Sequence, residues 1–456
     1  MPLMSPIDAG FLLIETRTQP MHVGGLQVFK LPSGAKREWL KDLYDEVIAS
    51  TDVDRLFRQR PHRSVATGGA YTWALDADVD LEHHVRHSAL ARPGRVRELL
   101  ALTSRLHGTP LDRHRPLWEV HLIEGLQNRR FAVYTKVHHA LVDGVSALRL
   151  LEGTLSDDPD DRQTRLPWAT RPRRSRPGGS GGGVATLPQN LLRNARDVLE
   201  LGPGLARIAG RSLTDDRTKR TGIAPRTILN VPITGSRRYA AQGWPLDTIR
   251  RVAKAADATV NDVVLAMCGG ALREYLRSLG ALPEAPLVAM TPVSMRGADA
   301  SESTGNAVGA IRCDLATNVT DPIERLATIK ASIGLGKAAL AHSTQLQATA
   351  LSAMVMLPLA ASSVGVLRSL APPPFNIIIS NVPGPTNPLY LRGAELEGLY
   401  PLSIPFNGQA LNITVTSYNG SLDFGLTGCR KSVPHLQRLL SYLDDALGEM
   451  VAAFDL

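Results

Sequence analysis

Apolar and polar residues alternate in several short runs along the first half of the chain, and these runs are rich in β-branched and aromatic side chains. Such alternation is typical of strands that bury one face. It predicts strands over residues 22–29, 119–124 and 131–138. Apolar residues that recur every three or four positions predict helices over 38–50, over 97–107 and in a segment that follows Gly144.

The second half repeats this mixture of patterns. A helix is predicted to begin after Thr259, whose hydroxyl can cap the free amides, with Asp262 in the first turn, where a negative charge is favoured. The pattern also predicts strands over 287–293, 307–313 and 376–380, a hairpin over 410–417 and 421–426 around Asn419-Gly420, and a closing amphipathic helix over 435–453. Because strands and helices mix in both halves, the predicted fold class is α/β.

A segment rich in Pro, Gly and charged residues separates the two halves. It runs from acidic residues at 157–161 through Pro and Arg to a glycine-rich run at 178–183, a composition typical of a flexible linker. We therefore predict a first domain over residues 1–156, a basic linker over 157–225 and a second domain over 226–456.

The composition is that of a soluble globular protein, with 456 residues of which 43% are hydrophobic and 21% are charged. The three cysteines are far apart and are expected to be free thiols in a reducing cytosol; they are Cys268, Cys313 and Cys429. No basic segment precedes an apolar core near the start, so no signal peptide is expected. The uncharged stretch 338–367 is interrupted by Pro358, which favours a buried or surface-docking helix pair over a membrane span.

Two adjacent histidines, His138 and His139, end the predicted strand 131–138, and Asp143 and Gly144 follow before the next helix. Neighbouring residues on a strand point to opposite faces, so one ring is expected to face the core and the other a cavity. Gly144 permits a backbone conformation that a side chain would oppose, and Asp143 is placed to fix the loop. The pKa of an imidazole lies near neutral pH, which makes His139 the candidate general base for a hydroxyl group.

Other site chemistries are not indicated by the sequence. The opposite directions of the two rings argue against a bidentate metal pair, and no third ligand follows at helical spacing, so no metal is expected. Gly144-Val145-Ser146 does not continue into a G-x-S-x-G nucleophile elbow, and no cysteine has the context of a nucleophile. A second pair, His83-His84, is not followed by Asp-Gly and is interpreted as structural. These features favour direct transfer without a covalent enzyme intermediate.

The H-H-x-x-x-D-G pattern at residues 138–144 resembles the motif of a superfamily that includes chloramphenicol acetyltransferase, carnitine acyltransferases and peptide-synthetase condensation domains. Further motifs, in order along nearly the whole chain, make the sequence similar to the bacterial wax ester synthase/acyl-CoA:diacylglycerol acyltransferase family. These motifs are Met4-Ser5-Pro6-Ile7-Asp8, Pro20-Met21-His22-Val23-Gly24, Pro116-Leu117-Trp118-Glu119, Asn261-Asp262, Pro292-Val293-Ser294-Met295-Arg296 and Ser380-Asn381-Val382-Pro383-Gly384-Pro385.

This resemblance implies two chloramphenicol-acetyltransferase-like α/β sandwich domains with an active-site tunnel at their interface. It implies that His139 deprotonates the hydroxyl of a diacylglycerol or a fatty alcohol, whose oxygen then attacks the thioester of a long-chain acyl-CoA. The products would be triacylglycerol or wax ester and free CoA. Acyl-CoA would act as a co-substrate, and no cofactor is expected.

The resemblance also implies a set of residues for catalysis, substrate binding or structural support. Beside His138, His139, Asp143 and Gly144, these are Asn261, Asp262, Pro116, Leu117, Trp118, Arg296 and Asn381. The turn before Trp118 either packs on the core or contacts substrate, and Asn261 either belongs to a helix turn or donates to the developing oxyanion. Arg296 is the candidate partner of Asp143, and Asn381 lies in a loop expected near the tunnel.

Charge and apolar content suggest where such an enzyme would work. Residues 157–238 contain sixteen Lys and Arg against eight Asp and Glu, which accounts for the whole formal net charge of +8. This segment fits contact with anionic lipid or CoA phosphates, and equally a solvated linker. The stretch 338–367 is either the wall of an acyl groove or an ordinary core helix. We expect a cytoplasmic protein, peripheral at the inner membrane face or at lipid droplets and other lipid inclusions.

Three alternatives stay open on the sequence. A condensation-domain-like transferase would use a carrier-protein thioester in place of acyl-CoA. A non-catalytic lipid-binding protein would keep the histidine motif as a relict. Nucleic-acid binding ranks last, because no basic helix with interleaved aromatic residues is present.

Overall fold

Two six-stranded sheets with helices packed on them organise the chain in the computed structural model. The structure describes residues 3–142, 144–169, 224–294, 308–341 and 373–456. All of these residues belong to one compact unit. The mixture of sheets and helices confirms the predicted α/β class.

The strands of the described residues are numbered here along the chain. They are β1 (His22–Lys30), β2 (Gln59–Arg63), β3 (Tyr71–Leu75), β4 (Val85–Ala89), β5 (Trp118–Leu126), β6 (Arg130–His138), β7 (Arg237–Pro245), β8 (Val288–Ser294), β9 (Val308–Asp314), β10 (Ile377–Val382), β11 (Tyr390–Leu391), β12 (Ala394–Leu402), β13 (Leu411–Tyr418) and β14 (Ser421–Cys429). The α-helices span Pro6–Ile14, Trp39–Ile48, Leu81–His84, Val96–Gly108, Gly144–Glu152, Leu246–Ala255, Val260–Ser278, Pro322–Ala341 and Arg438–Ala453.

The first sheet places β6 between two antiparallel neighbours. Its strand order is β11-β12-β1-β6-β5-β4. β1 pairs with β6 over the full length of both strands, from His22 opposite His138 to Lys30 opposite Arg130. β5 pairs with the other edge of β6, with Trp118 opposite Val137. The end of β6 that carries the histidines is therefore held from both sides.

Two strands of this first sheet come from the second half of the sequence. β12 pairs antiparallel with β1, so that Gly24 lies opposite Leu402, and β11 pairs with β12 at the sheet edge. The sequence pattern does not predict that strands of the second half join the first sheet, because the spacing of apolar residues does not specify which sheet a strand joins.

The second sheet has the order β7-β14-β13-β10-β8-β9, and β10 runs parallel to both β13 and β8. Strands β13 and β14 form the predicted hairpin. Asn419 (φ 40°) and Gly420 (φ 78°) both have left-handed backbone at its turn, which is why an Asn-Gly pair suits this position. This prediction is confirmed.

Buried packing explains the long helix Val260–Ser278, whose residues from Asp262 to Leu272 are all buried. Its first turn is a capping box, in which the Thr259 hydroxyl accepts from the Asp262 amide and the Asp262 carboxylate accepts from the Thr259 amide at 2.9 Å. The capping role predicted for Thr259 and the first-turn position predicted for Asp262 are confirmed, and the structure adds that Asp262 caps in return. The closing helix begins at Arg438 and not at 435, because His435 has a left-handed φ of 52° that a helix excludes.

Strand β12 joins the two sheets by direct contact. The Leu399 amide donates to Asp423 Oδ2 on β14 at 2.8 Å, and the Tyr239 hydroxyl on β7 donates to the Pro401 carbonyl at 3.2 Å. Gly425 lies so close to this strand that a Cβ atom there would collide with the Pro401 carbonyl oxygen. The two sheets therefore pack closely against each other at β12.

The uncharged stretch 338–367 lies outside the described residues except for its first four, which end the helix Pro322–Ala341. Within the described part of the chain, no single helix has the length and apolar content to cross a membrane. One bent pair, Leu246–Ala255 with Val260–Ser278, passes the same test by length and composition alone.

Candidate active site

Backbone hydrogen bonds fix both histidines at the end of β6. The His138 amide donates to the Leu117 carbonyl at 3.0 Å, where β5 begins. The His139 amide donates to the Met21 carbonyl at 2.8 Å, just before β1. The two neighbours of β6 thus hold one histidine each, although the two residues are adjacent in sequence.

The His138 ring is fully buried and its protonation pattern follows from its contacts. Its Nδ1 accepts a hydrogen bond from the Ala140 amide at 3.1 Å. A neutral ring with an accepting Nδ1 carries its proton on Nε2, and this nitrogen lies 3.5 Å from Glu15 Oε1. His138 is therefore built into the protein interior and oriented by its partners.

The His139 ring has a different environment. It is only partly buried, and it stacks on the Phe11 ring with centroids 4.2 Å apart and an interplanar angle of 22°. Phe11 belongs to the helix Pro6–Ile14, which therefore covers one face of the imidazole. Of the two histidines, His139 is the one that keeps exposed surface for a reactant.

Glu15 is a residue of this site that the sequence did not identify. Its side chain is 5% exposed, and it follows directly after the helix Pro6–Ile14. Burial acts to raise the pKa of its carboxyl group. The hydrogen bond and charge of His138, the Met21 amide and Arg113 outweigh burial and hold this pKa below its ordinary value. An isolated acidic residue near the start of a chain carries no sequence signal for such a position.

Phe11, which stacks on the His139 ring, also packs against a cluster of apolar side chains. Met21, Val23 and Ile404 form a buried cluster, against which Phe11, Ile14, Ala147 and Phe406 pack. Phe406 also packs against a second cluster on the other sheet, which includes Met290 and Ile378. Apolar contacts therefore lead from the face of His139 to the second sheet.

Pro116, Leu117 and Trp118 lie in the packing behind the histidines. The Trp118 ring stacks on His84 and on Trp168, at centroid distances of 4.4 Å and 4.9 Å, and its Nε1 donates to the Phe57 carbonyl. Leu117 packs in the same buried cluster as Ala140. These contacts support the packing interpretation of the turn. His84 belongs to the same core, and burial lowers its pKa to about 4.

The remaining predicted residues lie on separate elements. Asn261 is partly buried in the first turn of the helix Val260–Ser278, and Asp262 beside it is engaged in the capping box. Asn381 is partly buried near the end of β10, which belongs to the second sheet. The expectation that Asn381 lies in a loop is therefore wrong, because the strand continues to Val382. The loop that follows contains Gly384, whose amide donates to Ser417 Oγ at 3.1 Å.

Two predicted residues, Asp143 and Arg296, lie outside the described residues, so their pairing stays a prediction. Gly144 opens the helix Gly144–Glu152 without a left-handed φ, and a Cβ atom there would meet nothing within 4 Å. The expectation that this position needs the conformational freedom of glycine is therefore wrong for the backbone described. Among the described residues, no group of three or more His, Cys, Asp or Glu side chains is arranged to hold a metal ion.

Family models match both halves of the sequence. The model of the wax ester synthase/diacylglycerol acyltransferase catalytic domain matches residues 4–264, more than half of the chain. The model of the WS/DGAT C-terminal domain matches residues 304–451.

Individual proteins are similar over the full length. A probable diacylglycerol O-acyltransferase of Mycobacterium tuberculosis is 50% identical over 454 residues, which is 99% of each chain. A putative diacylglycerol O-acyltransferase of the same organism is 48% identical over 466 residues, covering 99% of this chain and 100% of the relative.

Solved structures agree with the fold. The wax ester synthase/diacylglycerol acyltransferase from Marinobacter aquaeolei VT8 superposes with a TM-score of 0.81 at 42% identity and full coverage of both chains. The starter condensation domain of rhizomide synthetase superposes with a TM-score of 0.56 at 12% identity, over 100% of this chain and 94% of the other, and shares the fold. On these matches, the chain belongs to the wax ester synthase/diacylglycerol acyltransferase family, and it is an acyltransferase.

Proposed function

We propose that this protein transfers a long-chain acyl group from acyl-CoA to the hydroxyl of diacylglycerol, of a fatty alcohol, or of both, with His139 as the general base. The observation that carries the proposal is the contrast at the end of β6. His138 is fully buried and oriented, whereas His139 is backbone-anchored, stacked on Phe11 and still partly exposed. Family membership supplies the reaction class.

The reaction needs one proton carrier. The imidazole of His139 removes the hydroxyl proton as the alcohol oxygen attacks the thioester carbonyl. The tetrahedral intermediate then collapses, the new ester bond replaces the carbon–sulfur bond, and the CoA thiolate leaves. Imidazolium gives its proton to this thiolate, so the base is regenerated and no covalent acyl-enzyme forms.

A long-chain substrate suits the surroundings of His139. Each methylene group that leaves water contributes about 0.8 kcal/mol. Phe11 lies against the imidazole, and the partly buried side chains of Ile14, Ala147 and Phe406 belong to the same apolar cluster. We propose that the acyl or alcohol chain lies along these residues.

Three further roles are part of the proposal. Asn261 donates its amide to the developing oxyanion, Asp143 fixes the histidine loop, and Arg296 is the partner of Asp143. The positive charge of segment 157–238 is the feature that supports docking of the enzyme on anionic lipid at the inner membrane face or at lipid inclusions.

The direct test uses the purified chain with palmitoyl-CoA and either hexadecanol or dipalmitoylglycerol. The proposal predicts that free CoA and ester appear in a one-to-one ratio without any carrier protein. Turnover only with an acylated carrier protein would favour the condensation-domain-like alternative. Lipid binding without CoA release under any of these conditions would favour a non-catalytic lipid-binding protein.

A further inference from the structure

An ion pair with a buried carboxylate, Glu15, lies directly behind the histidine loop. Both carboxylate oxygens of Glu15 are engaged: Oε1 accepts from the Met21 amide at 2.9 Å, and Oε2 accepts from Arg113 Nε at 2.9 Å. Arg113 Nη2 lies 2.7 Å from the same Oε2 and also donates to the Leu12 carbonyl at 2.8 Å. Arg113 therefore clamps the carboxylate against the end of the helix Pro6–Ile14.

We propose that Glu15, clamped by Arg113, is a positioning residue for the histidine loop: it fixes the tautomer of His138 and, through Met21, the backbone of His139. The proposal rests on the proposed function, in which His139 is the base. It assigns a role to the chain segment before β1 that the histidine motif does not contain.

Two contacts on opposite sides of the His138 ring specify the same tautomer. The Ala140 amide donates to Nδ1 at 3.1 Å, so this nitrogen must carry a lone pair. The Glu15 carboxylate, 3.5 Å from Nε2, attracts a proton on that nitrogen. The opposite tautomer would set two N–H groups against each other at Nδ1 and a lone pair against a carboxylate at Nε2. The Ala140 amide would then lose its acceptor at Nδ1.

Two successive backbone hydrogen bonds of Met21 connect Glu15 to His139. Glu15 holds the amide of Met21, and the carbonyl of Met21 accepts from the His139 amide at 2.8 Å. His22, the next residue, pairs with His138 in the sheet. The Glu15 carboxylate thus contacts both strands that pair here: the start of β1 through the Met21 amide, and the end of β6 through His138.

The charge on Glu15 is available at neutral pH. Burial raises the pKa of this carboxyl group, but His138, the Met21 amide and Arg113 together lower it below the ordinary value. The anion is therefore the form that lies 3.5 Å from Nε2 of His138, where its charge favours a proton on that nitrogen.

The test compares Glu15→Gln with Asp423→Asn as a matched control. Asp423 is also a buried carboxylate that accepts from a backbone amide, at Leu399, but it lies on β14 of the second sheet. We expect Glu15→Gln to lower kcat with palmitoyl-CoA on the order of 10²-fold, because small misplacement of a catalytic group has effects of that size, with little change in KM. Asp423→Asn should keep kcat. An unchanged kcat in Glu15→Gln, or an equal loss in both variants, would overturn the proposal.

Histidine side-chain nitrogen-15 spectra give a readout that does not depend on turnover. The wild type should show His138 as the Nε2–H tautomer, assigned by its loss in His138→Gln, and Glu15→Gln should show a mixture of tautomers. An unaltered tautomer would overturn the proposal even if the protein proves to have another activity. If Glu15→Gln does not fold, Arg113→Gln replaces it, since that side chain is 36% exposed. A folded Arg113→Gln with unchanged tautomer and kcat would likewise contradict the proposal.

Discussion

At the scale of single residues, histidines of the same local sequence have different roles because their surroundings differ. His83-His84 and His138-His139 are both histidine pairs, yet His84 is stacked in the core on Trp118, and His139 keeps exposed surface beside Phe11. The sequence distinguished the two pairs by the Asp-Gly that follows only the second. It did not indicate Glu15 or Phe11 as neighbours of the second pair, because both lie more than a hundred positions away along the chain.

Thr259→Ala tests the capping box at the start of the helix Val260–Ser278. The substitution removes the hydroxyl that accepts from the Asp262 amide. Loss of such a cap typically costs about 1 kcal/mol, so the urea-unfolding free energy should fall by roughly that amount. A folded variant at 25 °C should keep its kcat, and an unchanged unfolding free energy would contradict the capping assignment.

Asn261→Ala should change kcat and not the free energy of unfolding, the reverse of what Thr259→Ala should do. Asn261 is not a member of the capping box, so its removal should leave unfolding nearly unchanged. If its amide donates to the oxyanion, kcat should fall on the order of 10²–10³-fold. Wild-type kcat in this variant would reduce Asn261 to a first-turn helix residue.

At the scale of elements, alternation and helical spacing predicted the central strands and most of the longer helices, because each of these elements buries one face or most of its surface. The helix Pro322–Ala341 was not predicted. Strands β11 and β12 were not predicted, and the place of β12 in the first sheet depends on tertiary pairing with β1, more than three hundred residues earlier. The closing helix begins at Arg438 because His435 has a left-handed backbone, which the apolar pattern does not reveal.

Gly425→Ala tests whether β12 packs directly on β14. A Cβ atom at Gly425 would collide with the Pro401 carbonyl oxygen, so the backbone of β12 would have to move. Overpacking of this kind costs about 1–3 kcal/mol in the free energy of unfolding. Gly448→Ala in the helix Arg438–Ala453 is the control, because a Cβ atom there meets nothing within 4 Å.

The control variant Gly448→Ala should be more stable than the wild type by roughly 0.5–1 kcal/mol, since Ala is a better helix former than Gly. Urea unfolding of both variants measures the contrast. If Gly425→Ala is as stable as the wild type, the close approach of the two strands is wrong.

At the scale of the whole molecule, two buried histidines between the sheets make stability depend on pH. Burial lowers the pKa of His22 well below its ordinary value of 6.5 and lowers that of His107 to about 3. Below pH 6.5 the unfolded chain binds a proton on each of these residues, while in the folded chain both histidines stay neutral until the pH falls further. The stability they contribute is present above pH 6.5 and is lost as pH falls from 6.5 toward 3.

Urea unfolding at pH 7.5 and pH 5.5 measures this loss, which amounts to at most about 1.4 kcal/mol per pH unit for each histidine. His107→Gln should be less stable at pH 7.5, because it loses the contacts to Tyr134 and Ser403. It should also show a shallower decline toward pH 5.5 than the wild type. Equal slopes in the two proteins would contradict the assignment of this pH dependence to His107.

Function could be predicted from the sequence further than architecture could. The ordered motifs extend along nearly the whole chain and indicate one family, which the family models and full-length relatives confirm. The predicted domain boundaries at 156 and 226 stay predictions, since strands from the second half complete the first sheet. Pairing between strands from distant parts of the chain cannot be predicted from local residue spacing or composition.

The central claim is that the partly exposed imidazole of His139 is the base for acyl transfer, and the most direct measurement is the kcat of His139→Gln with palmitoyl-CoA and the preferred alcohol. His83→Gln is the control, because it changes a partly buried histidine of the other pair. Loss of a general base predicts a kcat lower by about 10²–10⁴-fold in His139→Gln, with unchanged urea unfolding and near-wild-type kcat in the control. A folded His139→Gln that keeps the kcat of the wild type would contradict the account.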